Sequence, residues 1–126
     1  MKTKTTLVIV SLLIASAGLL SAHENESVKA SSVNQSIKGE VIDVTCYAGH
    51  GAMGSKHSEC AKSCLSKGLP AAILSSEGKL YMTTGVDHKN ASDLLAKFGG
   101  ENVEVKGKLT EKNGVKFIQV ESVSKL

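Results

Sequence analysis

Arginine and tryptophan are absent from this 126-residue chain, and only four aromatic residues occur: Tyr47, Tyr81, Phe98 and Phe117. Nucleic-acid binding draws on guanidinium forks for phosphates and on rings that stack with unpaired bases, so the chain is not expected to bind nucleic acid. No C-x-x-C pair and no C-x-x-C-H occurs. That argues against a thioredoxin-type redox motif and against covalent haem attachment. There is no Ser/His/Asp order, phosphate loop or dinucleotide fingerprint in the context such motifs require. Asp43, Glu59 and Glu77 show no pairing that suggests acid-base work and read as solvated carboxylates. Catalysis is not needed to explain the residues.

Long apolar stretches are also scarce. The single run extends from Leu7 to Leu20, preceded by Lys2 and Lys4 and followed by the small residues Ser21-Ala22. This is the pattern of a secretory signal peptide over residues 1–22. The run falls short of the roughly 20 residues a helix needs to cross a bilayer, so no stable membrane anchor is expected after cleavage. No cysteine adjoins it to carry a lipid. The expected location is therefore periplasmic or extracellular. The formal charge of +3 falls to +1 once Lys2 and Lys4 are removed, so charge names no partner.

Residues 23–35 are polar and lack an apolar period, which predicts a flexible tether ahead of one small domain at 36–126. Ile37 to Thr45 reads as a first strand with a bulge or bend at Gly39. Gly49, Gly51 and Gly54 predict a loop over residues 46–55, and Ser55 is placed to cap a helix over Lys56 to Lys67. That helix has a thin apolar stripe, His57, Cys60, Ala61, Cys64 and Leu65, so something besides burial is expected to fix it. Ala71–Leu74 and Lys79–Thr84 read as two strands. Asn90 starts a short second helix to about Phe98, with Leu94, Leu95 and Phe98 on one side. Val103 to Leu109 and Val115 to Val123 form a hairpin about Asn113-Gly114.

The order strand, helix-bearing connection, two strands, helix, two strands resembles an OB-fold, a five-stranded partly open barrel. The expected class is mostly β with two short helices and a Cys/His-bearing helical insertion between strands 1 and 2. The segment from Cys46 to Cys64 reads C-Y-x-x-H-G-x-x-G-x-x-H-x-x-C-A-x-x-C. With this signature the chain looks like a group of small secreted bacterial OB-fold-like domains. The resemblance implies the fold and an envelope location, and no activity.

All three cysteines and two of the four histidines lie within that segment. His57, Cys60 and Cys64 stand at i, i+3 and i+7, a spacing that puts them along one side of a helix. Cys46 and His50 could then close the group from the preceding loop. Thiolates with an imidazole suit a transition metal, zinc or copper preferred, and exclude Mg(II) and Ca(II). The candidate ligands are Cys46, His50, His57, Cys60 and Cys64, with Met53 an extra donor for Cu(I). Two other readings stay open. A disulfide from Cys46 to Cys60 or Cys64 would leave one thiol over and suit an OB-like module that binds a ligand or an envelope protein partner. A thiol-disulfide redox protein would have Cys60 attack and Cys46 or Cys64 resolve. His88 reads as a solvated loop histidine.

Overall fold

The computed structural model describes residues 33–126. The expected signal peptide and the expected tether up to residue 32 lie outside the described residues. Five strands, β1 (Val33–Asp43), β2 (Ala71–Ser75), β3 (Leu80–Gly85), β4 (Asn102–Lys112) and β5 (Val115–Lys125), close into a barrel in the order β1-β2-β3-β5-β4. Residues 33–35 belong to β1 and not to a tether, and the strand ends two residues before Thr45.

The barrel is closed, where a partly open one was expected. Closure follows from strand length. β1 is long enough to pair antiparallel with β4 over Val33–Glu40 and with β2 over Gly39–Asp43. β5 likewise pairs antiparallel with β4 along most of its length and parallel with β3 through Phe117–Val120. Alternate residues face inward, so Val41, Ile73, Val103, Val105, Ile118 and Val120 meet in a core from which solvent is excluded.

Gly39 does not carry the expected bulge. β1 keeps its register there, and the glycine instead allows β2 to come close: a Cβ at this position would lie 2.4 Å from the Leu74 carbonyl oxygen. The register shift falls between Lys106 and Gly107, where β4 meets β5.

Among the described residues there are three α-helices where two were expected: α1 (Val44–His50), α2 (Ser58–Ser66) and α3 (Ser92–Leu95). α1 occupies half of the expected loop because Asp43 caps it, its carboxylate accepting hydrogen bonds from the backbone N–H of Thr45 at 3.1 Å and of Cys46 at 3.2 Å. α3 is a single turn continued by a 3-10 turn, Ala96–Phe98. Leu95 is fully buried while Leu94 is 46 % exposed, so these two do not share a side as expected.

α2 is seated on the barrel by more than its thin apolar stripe. Ala61 and Leu65 are buried, and burying one leucine is worth roughly 2 kcal/mol. Ser58 Oγ donates to the Gly99 carbonyl at 2.7 Å, and Lys62 Nζ lies 3.3 Å from Glu101. Gly99 has no side chain to hold the helix away, since a Cβ there would come within 2.7 Å of the Lys62 nitrogen. The Gly99-Gly100 pair, expected only to end a helix, is thus the bed on which α2 lies.

Candidate metal centre

Three elements meet at one end of the barrel to build the site. Asp43 closes β1, Cys46 sits in the first turn of α1, and Cys60 and Cys64 stand one turn apart on α2. The i, i+4 spacing puts the two α2 thiols on the same face. The cap at Asp43 fixes the start of α1 and so aims Cys46 at them. The three sulfurs all lie within 4.8 Å of one another, with Cys46 Sγ and Cys60 Sγ 4.0 Å apart. Cys60 is exposed, Cys46 and Cys64 are half-buried, and all three are free thiols. Neither of the alternative bridges, Cys46 to Cys60 or to Cys64, is formed.

The imidazoles behave differently from the thiols. His57 belongs to a 3-10 turn, Ser55–His57, that precedes α2, so the helical stripe begins only after it. The His57 ring lies near that of His50, with centroids 5.9 Å apart and the planes tilted by 53°. The group of mutually close ligand atoms comprises the three sulfurs without either histidine. His57 lines the same cleft as Cys46 and Cys60, whereas His50 is exposed at the end of α1. His88 lines a separate polar cleft with Thr83, Asp87 and Gln119.

Asp43 is the residue that sequence reasoning misjudged. It is 2 % exposed and not a solvated carboxylate. Burial pushes its carboxyl up, but hydrogen bonds from the Cys46 thiol, from the Thr45 and Cys46 backbone and from the Cys64 thiol outweigh this and leave it below its ordinary value. The signal available in the sequence was an Asp three residues before Cys46, a spacing suited to a helix cap.

The same contact governs the thiols. Hydrogen bonding to the Asp43 carboxylate, with burial second and Cys60 third, raises Cys46 from 9.0 to about 12. Burial and then the Asp43 charge push Cys64 up as well. A reactive redox cysteine needs the opposite shift, toward thiolate at neutral pH. An electron-rich corner made of one carboxylate and three sulfurs is instead suited to a positive ion, which supplies the charge that lets thiols ionise.

The cleft that contains Cys46, Cys60, His57 and Met53 has a free volume of about 10 Å³. That is about the room a single water needs. No family model, curated protein or solved structure matches the chain.

Proposed function

We propose that this protein is an exported metal-binding protein that holds one transition metal ion, zinc or copper, through Cys46, Cys60 and Cys64. The observation that carries the reading is the convergence of three sulfurs from two helices to within 4.8 Å of one another. Two sulfurs each about 2.3 Å from a shared ion stand roughly 3.8 to 4.0 Å apart, which matches the Cys46–Cys60 separation of 4.0 Å. Soft thiolates select zinc or Cu(I) and disfavour Mg(II) and Ca(II). The three thiols leave a fourth position for another donor, for which His57 and Met53 compete from the same cleft.

Export rests on the sequence of residues 1–22, a charged start followed by one apolar run and small residues. The Cys46–Cys64 signature supports the same location through the resemblance to small secreted bacterial domains. Any protein partner would then belong to the envelope.

Elemental analysis of protein isolated from its export compartment without chelator, paired with a thiol count, tests the reading. One zinc or copper per chain is expected. Absence of stoichiometric metal with every thiol free would refute it. A mass gain of about two daltons on reduction would favour a disulfide module instead.

A further inference from the structure

Met53 is a large apolar residue left 46 % exposed, yet its neighbours are fastened. Ala52 beside it is buried, and on the other side the Gly54 N–H donates to the Glu40 carboxylate of β1. Met53 therefore lines the thiol cleft on a backbone held from both sides, sharing that cleft with Cys46 and Cys60. His57 also reaches the cleft, but it lies outside the group of donor atoms that converge there.

Building on the metal reading above, we infer that Met53 completes an all-sulfur site that selects monovalent copper over zinc and holds it exchangeably. A thioether is a neutral, soft donor that favours Cu(I) and adds little for Zn(II). Exchangeability follows from how α2 is held. Leu65, the Ser58–Gly99 hydrogen bond and the Lys62–Glu101 ion pair seat the helix without help from the thiols. Cys60 and Met53 are both open to solvent, so a competing ligand reaches the ion from outside. Loading moves no electrons: Cu(I) enters as Cu(I), and each thiol that binds releases its proton to buffer.

The test is competition of the mature full-length protein against chromophoric chelators, with Cu(I) kept reduced by ascorbate and Zn(II) measured separately. Wild type, Met53→Leu and Cys60→Ser are compared. Leucine keeps the size and removes the sulfur. Met53→Leu is expected to weaken Cu(I) by about tenfold, the lower end of what loss of a supporting group costs a metal site, while Zn(II) changes less than about twofold. Copper should also pass to excess chelator with no change in far-ultraviolet circular dichroism. Equal loss of both metals, or no loss of Cu(I), in Met53→Leu would overturn the inference while leaving thiolate binding intact. Failure of wild type to bind either metal any better than Cys60→Ser would sink both readings.

Discussion

Cys46 and Cys60 are fourteen positions apart in sequence and 4.0 Å apart at sulfur. A disulfide needs about 2.05 Å, so the pair sits near twice the bonded distance and at the spacing of two sulfurs sharing one ion. The intervening loop gets there because Asp43 starts α1 and Glu40 ties down Gly54, both from the end of β1. The candidate metal centre is thus an appendage of one strand end and two helices.

Replacing Cys46, Cys60 or Cys64 by serine should lower metal affinity by at least about 100-fold, since loss of a mere supporting partner already costs 10- to 100-fold. His88→Ala, in a separate cleft, should leave metal content unchanged. Equilibrium dialysis with elemental analysis reads both. Metal loss in His88→Ala equal to that of the cysteine variants would contradict the ligand assignment.

The variant with all three cysteines changed to serine should stay folded, its melting temperature within a few degrees of the metal-free wild type. α2 is held by Ala61, Leu65, Ser58 and Lys62, none of which is a proposed ligand. Thermal unfolding followed by circular dichroism checks this. Collapse of α2 in that variant would mean the thiols are structural. Leu65→Ala supplies the contrast, with an expected loss of about 2 to 5 kcal/mol for a buried leucine.

Asp43→Asn should keep much of the α1 cap, because asparagine caps helices nearly as well, and remove the negative charge beside the thiols. Cys46 should then titrate below the value of about 12 that the carboxylate imposes. Thiolate absorbance near 240 nm against pH measures the change. In the wild type, metal binding must displace protons from the thiols, of which Cys46 and Cys64 are held above their ordinary range, so affinity should rise with pH and fall in acid. An Asp43→Asn titration identical to wild type would remove the carboxylate from this account.

Gly99→Ala should destabilise the protein by about 1 to 3 kcal/mol, the usual range for forcing extra volume into a tight contact. The added methyl group would meet the backbone of Lys62 at 2.7 Å and of Ala61 at 2.9 Å. Because it pushes α2 outward, it should weaken metal binding although it lies on another loop. Chemical denaturation and a chelator competition together test it, and a stable variant with unaltered affinity would show that α2 is seated elsewhere.

Glu101 contributes in a definite pH window. Hydrogen bonds from Lys125 and then Lys62 hold its carboxyl below the ordinary 4.5. A depressed carboxyl adds stability above its unfolded value and loses it as pH falls through the folded one. Glu101→Gln should therefore melt below wild type at neutral pH, with the gap closing in acid below 4.5. A gap that persists unchanged to low pH would show that the ion pairs do not contribute.

The strands were legible because alternation and turn residues are local: Val103, Val105 and Leu109 alternate, and Asn113-Gly114 marks the hairpin. The grouping of the thiols was legible too, since Cys60 and Cys64 at i, i+4 must share a helix face. α1 was hidden by three glycines that read as loop, while the cap that nucleates it belongs to the preceding strand. His57 was read as a stripe residue because spacing alone cannot show that the first turn winds as a 3-10 helix.

By itself the sequence determined that three thiols and two imidazoles crowd into one segment, the strand and turn pattern and the place of the insertion, all of which depend on residue type and short-range periodicity. Only the tertiary structure decided that the barrel closes, that Gly99-Gly100 bears α2, that Asp43 is buried beside the thiols and that the two histidine rings come near each other, outside the group of sulfurs. Each of these depends on contacts between segments far apart in the chain. Burial and close approach there are set by how strands and helices pack, which local composition does not encode.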